Sequence, residues 1–308
     1  MGVLKSRLAP WLLVCPLASS ADAREAFQLS ELEPGVFVHV GRQLPLEARG
    51  HDDIANLGFV VGEKCVAVID TGGSTAIGRE LRAAVRKRTS LAICYVINTH
   101  VHVDHVLGNY AFKIDGPSFV GHADLKEAID RSREFFLKEY SGDLDSPPTV
   151  LQVIGPDRLV ERELDLDLGG RRLLLRAWPT AHTDCDLTVY DAKTRTLWTG
   201  DLLFRERLPA LDGSVKGWLA ALDELERFKV ELAVPGHGPP ARDLKSAIAP
   251  ERRYLKSLLD GVRQDLAQSK PPEEAIAHVA AEQRSQWLLW DSVHPHNVVR
   301  AYQELEWE

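Results

Sequence analysis

The 308-residue chain is short of several things, and each shortage removes a class of protein. Four cysteines are too few for a disulfide scaffold. Basic residues are outnumbered, 37 Lys and Arg against 45 Asp and Glu for a formal net charge of −8, which argues against a nucleic-acid binder that relies on a basic surface. Beyond residue 23 no apolar run reaches the roughly 18 to 20 residues of a membrane span. Internal repeats and low-complexity tracts are missing, and the only methionine is Met1. What remains is an ordinary globular composition, 44% hydrophobic and 27% charged with a mean hydropathy of −0.17, so neither a disordered chain nor a polytopic membrane protein is expected. The length allows one large domain with an appendage, or two domains.

The first residues read as a targeting segment. Lys5 and Arg7 precede a mostly apolar stretch from Trp11 to Leu17, followed by small residues that include Ala21-Asp22-Ala23; this is the pattern of a secretory signal peptide over 1–23, cut near Ala23. Cys15 is a poor lipoprotein site because Val14 precedes it. Removing 1–23 takes Lys5, Arg7 and Asp22 away and leaves a charge of −9. The expected product is exported, hence periplasmic or secreted. Export leaves Cys65, Cys94 and Cys185, an odd number, so at least one thiol stays free or pairs between chains. Cys65 and Cys94 sit in apolar, β-rich text and read as small buried hydrophobes.

Strand-like text runs through Val36–Val40, Gly58–Gly62 and Cys65–Asp70, then helical spacing (Ile77, Leu81, Val85) over 75–88 and a buried strand at Ile93–Ile97. A short strand at Ser118–Gly121 and a helix to about Tyr140 follow. Residues Arg158 to Pro179 read as β-hairpins turning at Gly169-Gly170, with another hairpin across Leu187–Tyr190 and Thr196–Thr199. A helix over 215–228 and a last strand at Leu232–Val234 complete this part. Beyond Pro240 the pattern is helical, over 248–268, 272–286 and about 295–305. Strands in runs with intervening helices, repeated in two halves, predict two mixed sheets packed face to face with helices outside. The domain reading is a signal peptide at 1–23, a sandwich at 24–240 and a C-terminal helical cap at 241–308.

The chemistry is concentrated in Thr99-His100-Val101-His102-Val103-Asp104-His105, directly after a buried strand. Three imidazoles and a carboxylate within six residues cannot all enter an apolar core, and at a strand end they can converge on one point. The residue types suit zinc, and a bound dication lowers the pKa of water from 15.7 to about 7, as hydrolysis near neutral pH needs. His182, Asp201 and His237 are further ligand types, each placed where a strand stops and a turn or glycine begins. With the first cluster they make seven candidate ligands, enough for two ions.

These motifs resemble the metallo-β-lactamase superfamily, from the mature N-terminus to about residue 240. The resemblance implies an α+β, four-layer αββα sandwich with a C-terminal helical extension. It implies His100, His102 and His182 as ligands of a first metal, Asp104, His105 and His237 as ligands of a second, and Asp201 as a bridge. Asp104 would also orient the nucleophile, and Asp70 would anchor site loops without binding metal. The aspartate at 201 is similar to that of hydroxyacylglutathione hydrolases and related thioester or ester hydrolases, so lactamase activity is disfavoured. The stretches Ile54–Gly62, Val66–Ser74, Tyr95–Asn109 and His296 to Glu308 resemble the quinoprotein relay system zinc metallohydrolases, exported proteins of pyrroloquinoline-quinone-linked metabolism. The expected function is therefore an exported di-zinc (two Zn2+) hydrolase of a small molecule that carries an ester, thioester, lactone or amide-type bond. A mononuclear iron (Fe2+) sulfur dioxygenase, with His100, His182 and Asp201 as ligands, is the alternative; a non-catalytic maturation factor is a third reading.

Other residues have plainer readings. His122 is expected behind the ligands or as a structural residue, His39, His51 and His278 at the surface or in packing, and His294 and His296 in structural roles. Cys185 is a candidate for a place behind His182. Tyr254, Trp287, Trp290 and residues 132–148 are candidates for the substrate-pocket wall.

Overall fold

A computed structural model describes residues 27–308; the signal-peptide reading of 1–23 lies outside the described residues. The first sheet contains β1 (Ser30–Glu33), β2 (Val36–His39), β3 (Leu57–Val61), β4 (Cys65–Ile69), β5 (Ala92–Ile97), β6 (Ser118–His122) and β7 (Arg158–Val160), in that spatial order. Neighbours from β1 to β4 are antiparallel, with short turns between β1 and β2 and between β3 and β4 and a longer loop over 40–56 between β2 and β3, and from β4 to β7 they are parallel. Parallel neighbours need long crossovers. These are supplied by α1 (Thr75–Arg88), by the single turn α2 (Val103–Val106) with the 3-10 segment after it, and by α3 (Leu125–Glu139).

The second sheet is built from β8 (Glu163–Asp167), β9 (Arg172–Ala177), β10 (Leu187–Asp191), β11 (Thr196–Phe204) and β12 (Leu232–His237), in the order β12-β11-β10-β9-β8. Only β11 and β12 are parallel, linked through α4 (Val215–Leu225). The C-terminal helices are α5 (Leu244–Ala267), α6 (Pro272–His278) and α7 (Trp290–Leu305). This is the expected αββα arrangement. The short strand β1 had no clear signature in the text, and the stretch expected as one helix over 272–286 is α6 followed by a 3-10 turn at Ala281–Gln286.

Three apolar layers hold the sandwich together. Between the sheets, Val36, Val38, Val60 and Ile69 meet Leu173, Leu175, Val189 and Trp198. Outside the first sheet, Phe59, Val66 and Val68 meet Ile77, Leu81 and Val85 of α1. That helix starts where the Ser74 hydroxyl accepts the Ile77 N–H at 3.1 Å, satisfying one of the donors a helix N-terminus leaves open. Outside the second sheet, Leu197 and Leu203 pack with Trp218 of α4, Leu255 and Leu258 of α5 and Val298 of α7. Each fully buried Val, Leu, Ile or Phe contributes roughly 1.5–3 kcal/mol. The helices α5 and α7 belong to the helical layer over the face of the second sheet.

Cys65 and Cys94 are not merely small hydrophobes: they form a disulfide between β4 and β5, with Cα atoms 5.8 Å apart. Pairing skips from Val66↔Ile93 to Ala67↔Tyr95, so Cys94 is the extra residue of a bulge and is free to turn toward Cys65. Cys185 is free and buried.

Candidate metal centre

The register of the sheets delivers the site. In the parallel pair β4–β5, Ile69 is opposite Ile97, so Asp70 emerges beside Asn98 and Thr99. With φ at 52°, in the left-handed region that aspartate tolerates better than most residues, Asp70 turns back toward the loop. Its carboxylate accepts from the Thr99 N–H, the Thr99 hydroxyl and His105 Nδ1, each at 2.8 Å. It is the expected loop anchor. The loop it fixes carries His100 and His102, and α2 adds Asp104 and His105 within one turn.

From the second sheet, β11 bulges against β12 around Gly200, which has φ of 52° and packs so closely on Thr99 that a Cβ would come within 2.6 Å of the threonine Cβ. The bulge aims Asp201 into the site. Gly236 on β12 leaves room for that carboxylate, since a Cβ there would lie 1.8 Å from Asp201 Oδ1. His237 ends β12, and the Asn56 side chain clamps its loop by donating to Pro235 O and Gly238 O at 2.8 and 2.7 Å. His182 lies between β9 and β10, its carbonyl accepting from the Asp212 and Gly213 N–H groups.

All seven predicted residues converge. Donor atoms of His100, His102, His182 and Asp201 lie within 4.8 Å of one another, as do those of Asp104, His105 and His237. Asp201 stands between the groups: its Oδ2 is 3.6, 3.4 and 3.3 Å from Nε2 of His100, His182 and His237, and its Oδ1 is 3.3 Å from His105 Nε2.

A proton inventory tests whether these groups suit metal ions. His182 Nδ1 donates to Ala210 O at 2.7 Å, His237 Nδ1 to Ile54 O at 2.9 Å, His105 Nδ1 to Asp70, and His102 Nε2 to Asp212 at 2.7 Å. The Thr99 hydroxyl gives its own proton to Asp70, so it accepts from His100 Nδ1 at 3.0 Å. A neutral imidazole has one N–H. In the neutral state all five rings therefore spend it on the surrounding protein, and the inward nitrogens are bare lone pairs. His102 Nδ1 is 3.1 Å from Nε2 of both His100 and His182, while His105 Nε2 and Asp201 Oδ1 are buried without a hydrogen-bond partner. Lone pairs facing lone pairs and carboxylates call for a cation. Nitrogens bound tetrahedrally to one ion at about 2.0–2.1 Å stand roughly 3.3 Å apart, close to the separations found.

The electrostatics agree. Burial, helped by His105, pushes the His100 pKa well down, and burial takes His182 to about 4; both rings are neutral ligands near pH 7. For His105 burial also disfavours charge, but Asp201, Asp104 and Asp70 outweigh it and raise its pKa well above the usual value. The acidic groups around His105 thus favour positive charge in that half of the site.

Several participants were not foreseen. Asp212, in the loop before α4, accepts from His102 Nε2 through Oδ2 and from His296 Nε2 through Oδ1, each at 2.7 Å. Burial opposes charge on its carboxyl, yet these two bonds hold its pKa far below the ordinary range. The loop is tied to α7: Asn297 accepts the Leu211 N–H at 2.9 Å and donates to Pro209 O at 2.7 Å, and Arg300 donates to Asp212 O at 2.6 Å. Thus the C-terminal helix reaches His102 through His296 and Asp212. Arg207, also unforeseen, is buried at the cavity wall.

The cavity over the site measures about 630 Å³. Ser132, Phe135, Phe136 and Tyr140 line it, as expected of the 132–148 stretch, but Tyr254, Trp287 and Trp290 do not. Tyr254 meets each tryptophan edge-on between α5 and α7, where burying the three rings completes the helical layer. His294 is buried there against Tyr254. His39 is buried and paired with Asp53 at 2.6 Å, His51 is half-buried against Asp143, and His278 is more exposed, paired with Asp265. His122 accepts the Asp124 N–H. Cys185 packs among Val103, Val106 and Leu125, its thiol pKa raised by burial.

Comparison with known proteins supports the same conclusion. A family model described as the metallo-beta-lactamase superfamily matches residues 51–237. The human acyl-coenzyme A thioesterase MBLAC2 (Homo sapiens) is 26% identical over 218 residues, 59% of this chain and 72% of that protein. Among solved structures, a metallo-beta-lactamase from Pontibacter korlensis superposes with a TM-score of 0.60 at 19% identity, covering 74% of this chain and 98% of its own. The sec-alkylsulfatase Pisa1 from Pseudomonas sp. superposes with a TM-score of 0.67 at 18% identity over 90% of this chain and 50% of its own. At such identities the structural likenesses speak for the fold alone.

Proposed function

The chain belongs to the metallo-β-lactamase superfamily and is a metal-dependent hydrolase; from that premise we propose that it is an exported di-zinc enzyme cleaving thioester or ester bonds of small molecules. The observation that carries this reading is the proton inventory: five imidazoles with their N–H groups turned outward, and the Asp201 carboxylate set between two clusters of donor atoms. His100, His102 and His182 would hold one ion, Asp104, His105 and His237 the other, and Asp201 both. Bound divalent ions would supply Lewis acidity and a water acidic enough to attack near neutral pH.

The chain's own groups do the rest. Asp104 lines the cavity, placed to orient an attacking water and take up its proton at a carboxylate oxygen. Asp70, Asp212, Ala210 and Ile54 fix the tautomer and orientation of the rings, as acceptors behind metal-binding histidines do. Phe135, Phe136 and Tyr140 wall the cavity and limit access of bulk water.

The thioesterase relative supports thioesters as the leading substrates. Export is supported by the apolar N-terminal segment and by the Cys65–Cys94 disulfide, a bond that persists in oxidising compartments. The likeness of four sequence stretches to quinoprotein relay metallohydrolases supports a place in periplasmic quinoprotein metabolism. The test is a hydrolysis screen over thioesters, esters, lactones and lactams with protein of measured metal content, repeated with His100→Ala and Asp104→Ala. Thioester or ester turnover lost in both variants together with metal is expected. Retained turnover with normal metal content would overturn the assignment.

A further inference from the structure

One buried charge is left over once the metal ligands and their supports are assigned. Arg207 is only 7% exposed and lines the cavity. Among the described residues it forms no ion pair with any carboxylate within 4.0 Å, whereas the other buried arginine, Arg171, is paired with Asp191. Its Nε is buried without a partner. Its Nη1 lies 3.2 Å from His237 Nδ1, a nitrogen that already donates its proton to Ile54 O and so has no lone pair to offer. A buried guanidinium in this state is costly. The charge count adds to the cost: with two dications against Asp104 and Asp201, the centre is already positive before Arg207 is added.

Much of the remaining lining has another character. Val101, Val103, Phe135, Phe136, Tyr140 and Phe204 give the cavity a largely apolar lining, and Phe135 remains 55% exposed there. A surface of this kind recognises hydrocarbon.

From this juxtaposition we propose that the substrate is an amphiphilic anion: its anionic group pairs with Arg207 beside the His237 half of the centre, and its apolar chain lies along the Phe135–Tyr140 wall. Arg207 is a specificity-determining residue, and its guanidinium receives in the complex the partner it lacks in the free protein. This rests on the hydrolase reading above and narrows it to acyl compounds that carry a negative charge close to the scissile bond.

The test uses a matched pair, the hexanoyl thioester of mercaptoacetate and that of mercaptoacetamide, which differ in one charge one carbon from the sulfur. Metal-loaded protein is expected to favour the anion in kcat/KM by about 10- to 100-fold, the range of a hydrogen bond to a charged group. Arg207→Gln should bring the two within about threefold of each other, mainly through KM. Arg207→Lys should keep part of the preference because it keeps charge without the planar fork. A readout independent of turnover is the binding of the inert thioethers hexylthioacetate and hexylthioacetamide, followed by calorimetry; the same preference and the same loss in Arg207→Gln are expected. Phe135→Ser, at an exposed position, should shrink the advantage of hexanoyl over acetyl thioesters. Equal turnover and equal binding of the charged and neutral partners by the wild-type protein, which needs no variant to fold, would overturn the proposal and leave the hydrolase reading intact. Turnover of neither thioester by fully metallated protein would overturn the thioesterase reading, while a binding preference for hexylthioacetate that Arg207→Gln abolishes would still support the anion site.

Discussion

Replacing Asp212 by asparagine isolates what lies behind the first metal position from the ligands themselves. The wild-type carboxylate accepts two hydrogen bonds at 2.7 Å, from His102 and from His296. An asparagine has one oxygen, so one ring must lose its acceptor, and the bond that remains is no longer charge-assisted. Hydrogen bonds to charged groups contribute roughly 1.5–3 kcal/mol, which corresponds to about 10- to 100-fold in an equilibrium constant. Loss of an outer partner of a metal-binding histidine is of the same size. The first ion should therefore bind 10- to 100-fold more weakly in Asp212→Asn while the second is nearly unaffected, as read by competition with a chromophoric chelator. His296→Gln leaves the Asp212–His102 bond in place and should weaken the first ion by less than about tenfold. Equal affinity of wild type and Asp212→Asn, with the fold intact by circular dichroism, would refute the reasoning that α7 supports the centre.

Further consequences concern stability. Reducing the Cys65–Cys94 disulfide reopens a loop with a sequence separation of 29 and should cost about 3–4 kcal/mol, visible as a lower denaturation midpoint in urea with reductant; an unchanged midpoint would mean that the bond is dispensable. Asn297→Ala leaves buried groups of Pro209, Leu211 and Tyr254 without their partner, and a loss of roughly 1–3 kcal/mol should appear in thermal melts. Glu251 is fully buried on α5, accepting the Phe204 N–H at 3.1 Å, and burial raises its pKa well above the ordinary value. A carboxyl raised in the folded state favours folding below its unfolded pKa, and that contribution is lost as pH rises toward the folded value. Glu251→Gln should therefore gain stability relative to wild type between pH 5 and pH 8, as compared by urea titration at both; a gap independent of pH would contradict the assignment.

The metal ligands were legible in the sequence because coordination demands a rare local text. Polar ligand types directly after an apolar strand, as in His100 to His105, have no economical alternative reading, and His237 at the end of β12 shares that placement; Asp201, expected where a strand stops, lies instead within β11 beside the bulge at Gly200. The αββα layering was legible through the same alternation of apolar strands and helical spacing. What could not be read depends on approach between distant segments. Asp212 and Arg207 stand in unremarkable loop text and become part of the site only because α7 and β12 bring that loop to His102 and His237. The Cys65–Cys94 bond depends on a one-residue bulge in β5, which no periodicity announces. Tyr254, Trp287 and Trp290, candidates for the pocket wall, pack with one another's helices and with His294 in the helical layer instead, a placement set by contacts between α5 and α7 that are distant in sequence.

The most direct test of the centre is elemental analysis of protein purified without added metal, paired with thioesterase assays during chelation and titration back. Two zinc ions per chain, with activity lost on their removal and restored as they return, are expected from two clusters of inward lone pairs joined by Asp201. One iron per chain, or full activity in metal-free protein, would contradict it.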